Sequence, residues 1–191
     1  MVSIMKKLII ICGCDRTGKD TLISQLNNYF NNKTAVIHAG IPENNCNLFD
    51  YYYKGLIHST LDHYYHLDVD AIIHNRSMYG EYVYGPKYRN EKKEDIKRII
   101  SDLEVGQLKT FIRENELFFI LLSSSNVDLL VNNSDGNSIS DSRNDIKDEL
   151  EAFDEIFNIS SIKNKKKIMV NDGSDFRNKE DIYKEVIEFI S

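Results

Sequence analysis

The sequence has no apolar run long enough to cross a bilayer. A spanning helix needs about 20 such residues, and the longest run here, Leu8 to Cys12, is strand-sized. Cysteine is too scarce for a disulfide framework: there are three, an odd number. The chain also lacks the positive excess of a nucleic-acid binder, since its net charge is −6. Two lysines near the N-terminus have no signal-peptide core or cleavage site behind them. Linker-like stretches and internal repeats are missing too. These absences point to a reduced, cytoplasmic protein that meets neither membrane nor nucleic acid. What is present is ordinary: 41% hydrophobic and 28% charged residues over 191 positions supply one domain, residues 1–191, with a real core.

Short β-branched runs alternate with amphipathic stretches. Lys6 to Cys12 reads as a buried strand, and Lys19 to Phe30 carries apolar residues at helical spacing. Thr34 to His38, Asp70 to His74, Leu117 to Leu122 and Lys167 to Val170 are four more strand candidates. Helical patterns cover Asp50 to Tyr65, Glu91 to Asn115 with a bend near Gly106, Asp145 to Ile159, and Lys179 to Ile190. The Asn- and Ser-rich stretch from Asn132 to Ser142 reads as a mobile loop. This alternation predicts an α/β fold: a five-stranded parallel sheet flanked by helices in three layers.

The strongest signal is Gly13-Cys14-Asp15-Arg16-Thr17-Gly18-Lys19-Asp20-Thr21. It fits G-x-x-x-x-G-K between a strand and a helix, the phosphate-loop context. Glycines let backbone N–H groups curl around a polyphosphate. The helix N-terminus adds its dipole, and Lys19 adds a point charge. The fold is therefore that of a P-loop NTPase, with ATP and Mg²⁺ as cofactors. One position departs from the pattern. The residue after the lysine is normally Ser or Thr, whose hydroxyl binds Mg²⁺, and here it is Asp20. A carboxylate binds Mg²⁺ directly or through water, so Asp20 is the candidate metal ligand.

The loop G-x-D-R-x-G-K-x-T resembles that of thymidylate kinases, and Gly-Lys-Asp-Thr is similar to the loop of phage deoxynucleoside monophosphate kinases. The resemblance implies that Asp15 contacts the acceptor sugar and that Arg16 clamps the transferring phosphoryl group. It extends to His74-Asn75-Arg76-Ser77 and to Gly80-Glu81-Tyr82-Val83-Tyr84-Gly85. Arg76 matches the arginine that binds the acceptor phosphate, and a guanidinium suits that task because it grips phosphate with two donors. Tyr84 matches the family tyrosine. The implied acceptor set is Asp15, Phe49, Tyr53, Asn75, Arg76, Glu81 and Tyr84. Three departures stand out. Asn75 replaces the family aspartate, Gly85 replaces the glutamine that reads the base, and the Pro-Asp-Arg segment after the second strand is absent. The first departure pairs with Asp20: a carboxylate lost at Asn75 is regained at Asp20, which keeps the charge around one Mg²⁺.

A lid is expected over about 132–144, with Arg143 reaching the ATP phosphates on closure. By resemblance, Asn171-Asp172-Gly173 edges the adenine pocket, which adds Asp172 to the nucleotide set. Cys12 and Cys14 read as packing residues, His63-x-x-His66 as unrelated to zinc, and Lys163 to Lys167 as a solvated turn. The family also implies a homodimer. The activity implied is ATP-dependent phosphorylation of a deoxynucleoside monophosphate, dTMP or dUMP, by Lys19, Arg16, Arg76 and Arg143. Two alternatives stay open. A deoxynucleoside kinase needs a carboxylate base near the second strand, where Glu43 is the one candidate. A silent nucleotide-binding module binds ATP without turnover.

Overall fold

The structure is a computed structural model that describes residues 6–43, 46–133, 140 and 142–191. Five strands form one sheet: Lys7–Cys12 (β1), Thr34–His38 (β2), Ala71–Asn75 (β3), Leu117–Ser123 (β4) and Asn164–Met169 (β5). They lie in the order β2-β3-β1-β4-β5, every pair parallel. The central strands are apolar on both sides, as a sheet covered on both faces requires. Alternation in β1 sorts the core into two. Leu8, Ile10 and Cys12 face one layer, and Ile9 and Ile11 face the other.

The second layer is made by Lys19–Tyr29 (α1) and the closing helix Lys179–Ile190 (α9), through Leu22, Leu26, Val186 and Ile190. The first is larger. It holds Leu48–Tyr52 (α2), His58–His66 (α3), Met78–Tyr88 (α4), Lys93–Leu103 (α5), Lys109–Phe111 (α6), Val127–Asn132 (α7) and Arg143–Ile159 (α8). The helix expected over Asp50 to Tyr65 is α2 and α3 joined by a π turn, Tyr53–Ile57. The bend expected near Gly106 is a second π turn, Glu104–Leu108. There the buried Glu104 carboxylate accepts hydrogen bonds from Tyr79, Ser160 and Ser161.

Three features depart from the expectation. α4 covers a stretch with no strand or helix assigned, the last strand is β5 at Asn164–Met169 rather than Lys167 to Val170, and a short hairpin follows it. The hairpin pairs Asn171–Asp172 (β6) with Asp175–Phe176 (β7). Of the expected lid, residues 134–139 and 141 lie outside the described residues. No helix among the described residues is long and apolar enough to cross a membrane.

One buried histidine ties the layers together. Thr60 Oγ1 donates to the Leu56 carbonyl at 2.6 Å, which leaves its oxygen to accept from His74 Nε2 at 2.7 Å. Burial pushes the imidazole pKa down to about 3, which keeps the ring neutral at pH 7. An unfolded chain takes up that proton near pH 6.5. Because the unfolded state then binds more protons, stability falls as pH drops through that window. Lowering the pH from 7 to 4.5 is expected to remove about 2–3 kcal/mol through this residue. His74→Gln is expected to flatten that part of the denaturation profile; an unchanged slope would exclude His74 as its source.

Candidate active site

The loop after β1 is held by its own backbone. Gly13 has φ +145°, and a Cβ there would lie 2.3 Å from the Leu122 carbonyl oxygen. Only glycine lets the chain pass β4 so closely. Gly18 caps α1 at φ +83°, and Arg16 also takes a left-handed conformation at φ +69°. Thr17 Oγ1 donates to the Cys14 carbonyl at 2.8 Å and closes the turn.

Lys19 lies within this ring. Its side chain is 8% exposed and donates to the carbonyls of Gly13 at 2.9 Å and Cys14 at 2.6 Å. Burial lowers its pKa, against the pull of Asp15 at 3.9 Å. Asp15 also accepts from Arg76 Nη2 at 3.0 Å. One carboxylate thus bridges the loop lysine and the arginine at the end of β3.

The residue between them has a separate partner. Asn75 is buried at 4% exposure, and its Nδ2 donates to Asp20 Oδ1 at 2.7 Å. Its Oδ1 is buried with no hydrogen-bond partner. An orphaned carbonyl oxygen beside a carboxylate is a hard-oxygen pair of the kind Mg²⁺ takes. Asp20 and Asn75 therefore fit the metal that a phosphate loop implies.

A cavity of about 300 Å³ opens beside Lys19, Asp15 and Arg76. Tyr84 and Glu81, both of the implied acceptor set, line it. Glu81 is 3% exposed and bonded through both oxygens: Oε2 accepts from Tyr52 at 2.9 Å, and Oε1 from Arg89 Nε at 3.0 Å and Nη2 at 2.7 Å. Burial and that carboxylate push the Tyr52 phenol up, so it stays a donor. Gly85 makes room for the pair, since a Cβ there would lie 2.4 Å from Glu81 Oε1.

The aromatic assignment shifts by one residue. Phe49 and Tyr53 stack on each other at 5.8 Å, pack against the core and do not reach this cavity. Tyr52 reaches it instead, with Tyr88 and Phe153. Glu43 lies outside the cavity as well; Ala39 to Pro42 form that wall.

A second groove, about 240 Å³, lies on the far side of the loop. Arg16, Thr17, Gly18 and Thr21 form one edge, and Phe176 and Arg177 of the hairpin form the other. Asp172 sits on the hairpin, exposed, outside this groove. Arg177 is fixed by the Met169 carbonyl at 2.8 Å and by Glu185 at 3.0 Å. The sequence reading missed both Phe176 and Arg177, because the hairpin is two residues a side and carries no strand pattern.

The two lid-related arginines part company. Arg16 reaches from the loop to the carbonyls of Leu130 at 3.0 Å and Ser140 at 3.4 Å. It joins the phosphate loop to α7 and the approach to α8. Arg143 opens α8 and pairs with Asp128 through Nε at 2.7 Å and Nη2 at 3.4 Å. That pair is exposed and lines neither the cavity nor the groove.

No family model matches this sequence, and no curated protein does either. Solved structures do. The YorR protein of Bacillus subtilis, solved in complex with phosphorylated GDP, superposes with a TM-score of 0.64 at 19% identity, over 96% of this chain and 95% of that one. The thymidylate kinase of Candida albicans gives 0.62 at 14% identity, over 97% and 91%. That of Ehrlichia chaffeensis gives 0.57 at 11% identity, over 97% and 99%. The fold is thus the three-layer α/β fold that thymidylate kinases and related P-loop kinases adopt.

Proposed function

We propose that this chain transfers the γ-phosphoryl group of ATP to a deoxynucleoside monophosphate, with dTMP or dUMP as acceptor. The observation that carries this reading is the shared wall: the loop lysine, Asp15 and Arg76 border one cavity beside the phosphate loop. The fold it has in common with thymidylate kinases supports the same conclusion.

Each residue has a task that its position supports. The groove edged by Phe176 and Arg177 takes the ATP base, and the loop N–H groups take its phosphates. Lys19 leaves the Gly13 and Cys14 carbonyls and offsets charge on the moving phosphoryl group. Arg76 releases Asp15 to grip the acceptor phosphate, and Asp15 turns to the sugar. Arg16 holds the loop against α7, so closure there sets its reach to the phosphates. Asp20 and Asn75 would hold Mg²⁺, which would supply charge neutralisation at the phosphates. Positioning and charge account for the chemistry, because the attacking oxygen already belongs to a phosphate. No general base is required. This favours a monophosphate over a nucleoside acceptor: Glu43, the candidate base near the second strand, lies outside the cavity, and Glu81 on its wall is paired with Arg89.

The test is a coupled ADP-release assay with ATP and Mg²⁺ on five deoxynucleoside monophosphates and their parent nucleosides. Turnover confined to monophosphates is the expected result. Turnover on nucleosides alone would replace this reading with a nucleoside kinase. ATP binding with no turnover on any acceptor would replace it with a binding module.

A further inference from the structure

The cavity has two differently charged ends. α4 has 11 residues, and at about 1.5 Å per residue it separates its flanking arginines by roughly 16–20 Å along the backbone. Arg76 precedes the helix beside Lys19, and Arg89 follows its last turn. Both residues line the same cavity. A molecule with phosphate at the Arg76 end presents its other end to Arg89.

What Arg89 offers there is defined by its partners. Its side chain is 10% exposed. Nε and Nη2 are engaged by Glu81 Oε1, and no hydrogen bond among the described residues uses Nη1. Glu81 accepts from Tyr52 through Oε2 and from Arg89 through Oε1, and Arg89 matches its charge. The carboxylate therefore aims the guanidinium, and the group facing the cavity is a donor with no acceptor character. The wall between is aromatic: Tyr84 and Tyr88 stack at 6.3 Å, and Tyr84 meets Phe153 edge-on at 6.0 Å. That surface suits a flat ring.

We infer that Arg89 reads the base of the acceptor and selects keto bases: thymine, uracil or guanine over cytosine or adenine. This rests on the acceptor-site reading above. A fixed donor rewards a ring carbonyl oxygen and opposes an exocyclic amine at the same place, because two donors then face each other unpaired. Glu81 is the positioning residue behind it.

Binding of dTMP, dUMP, dGMP, dCMP and dAMP to the full chain is measured by calorimetry, and turnover is measured on the same five with ATP. The keto monophosphates are expected to bind about tenfold or more tightly than dCMP and dAMP. The ratio of dGMP to dTMP separates purine from pyrimidine. Arg89→Met should level the preference to within about threefold, through weaker keto binding and a higher KM more than through kcat. Because that change strands the Glu81 charge, the double variant Glu81→Gln/Arg89→Met repeats the test with no orphaned carboxylate. Equal binding of dCMP and dTMP, or a preference that survives in the folded double variant, overturns the inference. Keto-selective binding without turnover on any acceptor removes the kinase reading and leaves the role of Arg89 standing. Absence of binding by every monophosphate removes both.

Discussion

Lys19→Met is expected to lower kcat by about 10³-fold while the melting temperature stays within a few degrees of the parent. The two halves of this prediction come from one geometry. Lys19 is buried against two loop carbonyls, one of which, at Cys14, also accepts from Thr17. Burial disfavours its charge there, which lowers its pKa. A buried cation held by neutral carbonyls adds little to folding, so an apolar side chain of similar length is tolerated. Phosphates change the balance, because an anion beside the ammonium favours its charged form and adds a strong attraction. ATP should therefore raise the melting temperature of the parent and not of the variant. Turnover above a tenth of the parent rate, or equal protection by ATP, would show that the lysine does not act on the phosphates.

The parts legible in the sequence are those where local pattern and tertiary role agree. β1 is apolar because it is central in the sheet, and α1 follows because Gly18 caps it. β2 spans the Thr34 to His38 run that carries Thr34, Val36 and Ile37. α4 was illegible because its local signals oppose a helix. Gly80, Gly85 and Pro86 all break helices in isolation. The structure gives two of them a place. Ser77 caps the start by accepting from the Tyr79 N–H, Pro86 falls in the last turn, and Gly85 yields space to Glu81. Read as a helix, Glu81, Tyr84 and Tyr88 share one face at three- and four-residue steps, and Arg89, the C-cap, follows Glu81 by eight residues, about two turns. The aromatic assignment failed for another reason. Tyr51, Tyr52 and Tyr53 are consecutive, so composition cannot choose among them, and the π turn beginning at Tyr53 shifts the helical phase there. Arg143 opens α8 with its fork engaged by Asp128, a pairing that its position after a polar loop does not reveal.

The pair Asp20 and Asn75 should behave as a unit. The sequence offers two deviations, a carboxylate where a hydroxyl is usual and an amide where a carboxylate is usual. The structure sets them 2.7 Å apart. Asp20→Ser is expected to raise the Mg²⁺ concentration for half-maximal turnover about tenfold or more, since the site loses its one full negative charge. Asn75→Asp alone adds a second carboxylate against the first, and without metal the two repel. Metal-free stability should therefore fall, and Mg²⁺ should recover it. The exchange Asp20→Ser/Asn75→Asp restores one carboxylate and one neutral oxygen. If the two positions share one metal, this double variant regains most of the activity that Asp20→Ser loses, and the coupling between the changes exceeds about 1 kcal/mol. Mn²⁺ binding, followed by magnetic resonance with ATP present, gives the same comparison without turnover. Effects that simply add would mean that the two residues changed independently and that Asp20 is a solvated residue of the first helical turn. Rescue by exchange separates these outcomes because it asks where the charge sits, and a general loss of stability cannot reproduce it.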